Sequence, residues 1–526
     1  MVYGGLDEGS QVAEGLIAAQ EGRSRPRSRC RDPVIFHHVV HCDPNEVLMR
    51  RRILPLFVLF AVLGVPTSTT EACHVAARLH FENAPPEERM KRAHELAAPW
   101  LNLKMEMDMT PIPYRLKAAV DCKNGTADGF PCDNVDLLAH MPLSSIGGGN
   151  GNDSWGWTDS STGREYALVG RTSGTSFVDI TDPQNPVYLG NLPTRGGTSS
   201  WRDIKVYDDH AFVVADFVTG HGMQVFDLKQ LRSVDSPPVT FEETAHYDGF
   251  SRAHNVVMNE ETGFAFAVGS EVCSGGLHII DVQTPASPVF AGCYDDDAYT
   301  HDAQCVVYRG PDADHFGKEV CFASNEDTLT IVDVTDKKNP TQISRNGYAG
   351  WGYTHQGWLS DDHALFFLDD EGDEGSFGHN TRTYVWDLRD LDSPTMEQVY
   401  ESAFPSTDHN QYVKGNYIYQ ANYSIGLRIL ERNPETTAIR EVAFFDTFPE
   451  SNSSSGGAWS VFPFFESGTV IISDINRGLF LLRPNLVTPL FEDDFESGDL
   501  GRWSLVESPA LAPPEPEAAV DSAAGQ

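Results

Sequence analysis

Short apolar runs that stop at a charged residue and then meet a proline recur along the chain. Leu329-Thr330-Ile331-Val332-Asp333 runs on to Pro340, Leu277-His278-Ile279-Ile280-Asp281 to Pro285 and Pro288, Ser176-Phe177-Val178-Asp179 to Pro183 and Pro186, and Thr383-Tyr384-Val385-Trp386-Asp387 to Pro394. Weaker copies close at Asp227, Glu431 and Arg483. The closing positions lie about 50 residues apart, in the range of propeller blades. Each unit offers a polar or His-containing entry, an apolar strand, a second one such as Ala211-Phe212-Val213-Val214-Ala215, the motif strand and an outer strand. The pattern predicts an all-β fold: a seven-bladed β-propeller over 135–485. Val135-Asp136-Leu137-Leu138-Ala139-His140-Met141 reads as an outer strand with no motif before it. An orphan strand at that end is expected to complete the last blade and close the ring, which removes an exposed edge.

The flanks read differently. Residues 1–48 show no sustained apolar period and are expected to be a mis-assigned extension. Met49-Arg50-Arg51-Arg52, the apolar run from Ile53 to Val65 and the small residues near Ala72 read as a signal peptide over 49–72. Its thirteen apolar residues fall short of the roughly 20 that span a membrane. Residues 73–134 form a leader, with one or two short helices broken at Pro85-Pro86 and a Cys loop. Residues 486–526 carry a sorting-like stretch and a Pro, Ala and Glu tail expected to be disordered.

Charge narrows the partners. With 76 acidic against 38 basic residues, the formal net charge is -38, which repels nucleic acid and anionic membranes and favours cations. No transmembrane anchor is expected in the mature chain, which reads as a monomer meeting an extracellular ligand or protein. Export makes the cysteines readable as disulfides. Cys122 with Cys132, Cys273 with Cys293 and Cys305 with Cys321 are the neighbouring pairs, at spacings of 10, 20 and 16 that match no zinc module; position alone leaves the connectivity open.

Candidate chemistry sits at the blade entries. His254-Asn255, His301-Asp302, His355-Gln356 and His409-Asn410 follow one another at 47, 54 and 54 residues, and Trp157, Arg202 with Asp203, and Trp459 stand at the matching place in the remaining units. Inner-strand side chains converge on a propeller's axis, so His254, His301, His355 and His409 could bind a divalent transition metal; the plainer reading has each His locking its blade to the next. Asn255, Asp302, Gln356 and Asn410 are then channel-facing candidates beside Trp157, Arg202, Asp203 and Trp459. The run Asp369-Asp370-Glu371-Gly372-Asp373 offers clustered hard oxygens for Ca²⁺, without EF-hand spacing. No GxSxG, HExxH or Walker motif is present.

The Leu-x-Ile-Val-Asp strand with its proline exit resembles the LVIVD repeat of bacterial surface propellers. Cys122-Lys123-Asn124-Gly125, Phe130-Pro131-Cys132, Arg252-Ala253-His254-Asn255, Tyr299-Thr300-His301-Asp302 and Asp408-His409-Asn410 together resemble the choice-of-anchor B family over roughly residues 115–485. That resemblance implies an exported bacterial protein with a constant propeller body and a variable C-terminal attachment or sorting signal. Asp494-Phe495-Glu496-Ser497-Gly498-Asp499-Leu500 with Trp503 resembles a motif ending many exported proteins of Gram-negative bacteria. The expectation is a secreted or surface-displayed binding or interaction module without a catalytic residue; the alternative is a metal-dependent hydrolase or oxygenase built on the His set.

Overall fold

The stretch Thr328–Asp333 pairs with Glu319–Asn325 on one side and Thr341–Gly347 on the other. It is the third of four strands, and Leu329, Ile331 and Val332 are fully buried. A strand covered on both faces reads as a continuous apolar run, which is why the motif stands out. Its closing Asp acts differently, by ending the strand. The Asp333 side chain accepts the N–H of Thr335, two residues on, at 3.0 Å. Asp179, Asp227, Asp281 and Asp387 make the same bond at 2.9–3.0 Å to Thr181, Lys229, Gln283 and Arg389. This Asx turn ends five of the seven third strands.

The computed structural model describes residues 119–452 and 456–486. Their strands form seven sheets, a seven-bladed β-propeller. The inner strands, in order, are Gly151–Asp159 (blade 1), Arg202–Tyr207 (blade 2), Asn255–Asn259 (blade 3), Asp302–Val307 (blade 4), Thr354–Leu359 (blade 5), Asn410–Lys414 (blade 6) and Ala458–Phe462 (blade 7). Val135–Met141 pairs antiparallel with Gly478–Pro484 as the outer strand of blade 7, so the two ends of the ring share one sheet. The expected extension, signal peptide, leader helices and C-terminal tail lie outside the described residues.

Neighbouring blades are stitched at the axis by side chains that receive the next inner strand's N–H groups. The Asp203 carboxylate accepts from Val256 at 2.7 Å, Gln304 from Leu359 at 2.7 Å and Gln356 from Gln411 at 3.0 Å. Each bond supplies a partner to backbone donors that a strand edge would leave unpaired.

Two blades are wider than four strands. Val239–Thr240 adds a parallel strand outside blade 1. Thr126–Ala127 and Phe130–Asp133 form a hairpin whose second strand extends blade 6 at Ile439–Phe445. The Cys loop is thus part of the propeller rather than of a separate leader. All three expected disulfides form, Cys122–Cys132, Cys273–Cys293 and Cys305–Cys321.

Candidate metal centre on the propeller axis

The four histidines meet at one end of the axis. Ring centroids are 4.4 Å apart from His254 to His301, 4.1 Å from His301 to His355 and 4.6 Å from His355 to His409. Trp459 continues the arc at 4.8 Å from His409, with Trp201 6.3 Å beyond it. Local backbone irregularity helps aim these groups: His355 lies in a register shift between Thr354 and Gly357, and Trp459 in one between Ala458 and Ser460. Such bulges re-aim side chains beside functional sites. The enclosed space is about 10 Å³ and is also lined by Asp153, Arg202, Asn255 and Asn410. It has room for a single ion or water, far below the several hundred Å³ of a small-molecule pocket.

Every one of the four imidazoles is held by Nδ1. His301 Nδ1–H donates to the carbonyl of His355 at 2.9 Å and His409 Nδ1–H to that of Trp459 at 2.6 Å. His254 Nδ1–H donates to Asp216 Oδ2 at 2.9 Å and His355 Nδ1–H to Asp369 Oδ1 at 3.1 Å. With Nδ1 carrying the proton, Nε2 holds the lone pair of the neutral ring, the arrangement that metal-ligating histidines adopt. Burial and the neighbouring His355, His254 and His409 push His301 well below the usual imidazole range, keeping it neutral. Burial alone would raise Asp216, but the hydrogen bond from His254 and the charge of Arg252 hold it down.

A carboxylate completes the group. Glu371 Oε2 stands 3.7 Å from His355 Nε2, and the Tyr423 hydroxyl donates to Glu371 Oε1 at 2.5 Å. Ligand atoms of His355, Glu371 and His409 all lie within 4.8 Å of one another. The other such grouping among the described residues, Asp312, His315 and Asp392, is already internally bonded: His315 Nε2 meets Asp392 Oδ2 at 3.0 Å, and Asp312 Oδ2 accepts the Leu391 N–H at 2.8 Å.

The remaining expected site residues separate into three sets. Arg202, Asn255, Asn410 and Trp459 line the axial space. Asp203, Asp302 and Gln356 lie among the buried or half-buried residues of the inner strands but are not in its lining. There Lys205 Nζ sits 2.5 Å from Asp203 and 3.9 Å from Asp153. Burial would lower Lys205, yet Asp203, Asp153 and Asp302 keep it above its usual value; burial moves Asp302 to about 6. Trp157 is not at the axis: its indole stacks on Tyr166 at 4.9 Å and donates to Asp209 at 3.1 Å. Asp153, beside a register shift between Gly151 and Ser154, is the blade 1 residue that lines the axial space. In blade 2 the residue aligned with the histidines is Trp201, one place before Arg202.

The acidic run does not form one ligand set. Asp369 is bound to His355 and to the Gln356 N–H at 2.8 Å. Asp370 accepts from the Gly352, Tyr353 and Gly372 N–H groups and from the Tyr348 hydroxyl at 2.6 Å. Glu371 faces the histidines, and Asp373 accepts from the Tyr384 hydroxyl at 2.6 Å. Adjacency to two aspartates marks Glu371 as a calcium ligand in the sequence. Its partners His355 and His409 are 16 and 38 residues away, on two blades.

Residues 272–296 match the model of the LVIVD repeat. No curated protein matches the chain in sequence. Among solved structures it is similar to the β-propeller domain of Cps50 from Myceliophteria thermophila (11% identity, 65% of this chain and 99% of that one, TM-score 0.43). It is also similar to Kuenenia stuttgartiensis hydrazine synthase (10%, 60% and 92%, 0.43) and to a periplasmic gluconolactonase of Pseudomonas aeruginosa (13%, 55% and 86%, 0.37). At these identities the likeness concerns the fold alone.

Proposed function

We propose that this LVIVD-type propeller is an exported metalloprotein in which His355, His409 and Glu371 hold a divalent transition metal, flanked by His301 and His254. The observation that carries the reading is the uniform commitment of the four Nδ1 atoms, which supports Nε2 as the nitrogen that would ligate. Two imidazoles and one carboxylate form the donor set of catalytic centres that keep an open position, rather than of closed structural ones. A metal held there would polarise a substrate oxygen or activate water, so the reaction class is metal-assisted hydrolysis or oxygenation. The axial space of about 10 Å³ is too small for a peptide or sugar. The three disulfides and the repeat match support export, and the motifs quoted above support placement in the choice-of-anchor B family, on the exterior of a Gram-negative bacterium. No helix among the described residues is long and apolar enough to cross a membrane.

Metal analysis of the exported protein tests this, with His355→Ala, His409→Ala and His301→Ala alongside. The expected result is one equivalent of metal, lost in His355→Ala and His409→Ala without loss of β-sheet circular dichroism. A protein that takes up neither Zn²⁺, Fe²⁺ nor Mn²⁺ on titration refutes it.

A further inference from the structure

The acidic stretch after the second strand of blade 5 turns into the protein, and a second, separate feature lies there. Asp369, Asp373 and Glu374 are buried together with Asp408, which precedes the inner strand of blade 6. Glu374 and Asp373 belong to the short helix Asp373–Phe377. Part of this carboxylate surface is satisfied by the bonds described above. The rest is not: both oxygens of Glu374, both of Asp408, Asp373 Oδ1 and Asp369 Oδ2 have no donor in hydrogen-bond geometry. Glu374 is 7% exposed and Asp408 1%, so bulk solvent does not reach them. The carboxylates repel one another, Asp408 acting on Glu374 and Asp373 acting on both. Nearby positive charge is scant: Arg382 is paired with Glu401 at 2.8 Å, and His379 Nε2 reaches only Asp373, at 3.5 Å.

Buried, unpaired carboxylates persist where a cation or a proton compensates them. We propose that Asp408, Glu374 and Asp373 bind a calcium ion that ties the loop of blade 5 to blade 6. The donors are hard oxygens, which suit Ca²⁺ or Mg²⁺ over softer metals. Calcium, with an adaptable shell of six to eight oxygen ligands, accepts irregularly placed carboxylates more readily than the tight octahedron of magnesium. The site uses none of the three axial ligands and stands independently of the axial reading.

The test is calcium titration of the chelator-stripped full chain, by calorimetry and thermal melting, with Asp408→Asn and Glu374→Gln. One calcium equivalent is expected. At free calcium of about one hundred times Kd, the folded-to-unfolded ratio rises about 100-fold. Both variants keep side-chain size, lose that response and melt higher than the calcium-free wild type because a repelling charge is gone. His355→Ala keeps the calcium response, which separates this site from the axial one. No heat and no melting shift with calcium, a response to zinc alone, or a full calcium response in both variants overturns the proposal.

Discussion

Acid should open the ring at its seam. His140 lies on the strand Val135–Met141 that closes blade 7, stacked on Phe480 at 4.1 Å with Phe130 edge-on at 6.0 Å. Its Nε2–H donates to the Arg477 carbonyl at 2.9 Å. Burial, with a contribution from the Arg477 charge, lowers its pKa from 6.5 to about 4. At about 1.4 kcal/mol per pH unit the difference corresponds to about 3 kcal/mol. Because the folded-state value is the lower one, the unfolded chain takes up the proton first. The stabilisation is complete above pH 6.5 and is lost as pH falls toward 4, with about 2 kcal/mol gone by pH 5. His221 and His278, also lowered to about 4, act in the same direction. The His140 share is isolated by urea unfolding of wild type and His140→Gln from pH 7.5 to 5. Gln keeps a neutral donor toward Arg477 but does not titrate. The variant should lose stability less steeply, by about 1.4 kcal/mol per pH unit between 6.5 and 4. Superimposable slopes would falsify this account of the seam.

Two substitutions probe the axis. Lys205→Met leaves Asp203, Asp153 and Asp302 buried without their cation and should cost about 3–5 kcal/mol in chemical denaturation; pairing it with Asp203→Asn should restore much of that, and a neutral single variant would show that the layer carries no net charge. Tyr423→Phe removes the hydroxyl that orients Glu371 and should weaken transition-metal affinity about 10-fold, read by competition with a chromophoric chelator; unchanged affinity would remove Tyr423 from the site.

The scaffold was legible because its signals are local. A third strand covered on both faces writes a run such as Leu329-Thr330-Ile331-Val332 directly into the sequence, and the Asp that ends it bonds to a residue only two places away. The closing strand was readable as an outer strand with no blade of its own. The four histidines were found by period alone. What escaped depends on long-range or irregular geometry. Trp157 was misplaced because no His marks the entry of blade 1, and the Trp lies four residues further along that inner strand than Asp153, which lines the axial space. Glu371 was grouped with its sequence neighbours, whereas the chain turn after Asp370 sends adjacent carboxylates to different partners. The parallel strand Val239–Thr240 is too short to carry a period. Of the two readings of the histidines, locking and ligation, the bonds from Nδ1 of His301 and His409 to carbonyls of the next blade fit the first, and the second is the one proposed for Nε2.

The acceptors that fix His301 and His409 are carbonyls of the next blade, and for His409 that blade is the one made from both ends of the ring. An emerging polypeptide that lacks Ala458–Phe462 has no carbonyl for His409, whatever the state of its first six sheets. The orientation of His409 therefore depends on blade 7, whereas the acceptors of His254, His301 and His355 lie in earlier blades. The seam that closes the ring is thus also the place where the last of the four imidazoles acquires its acceptor.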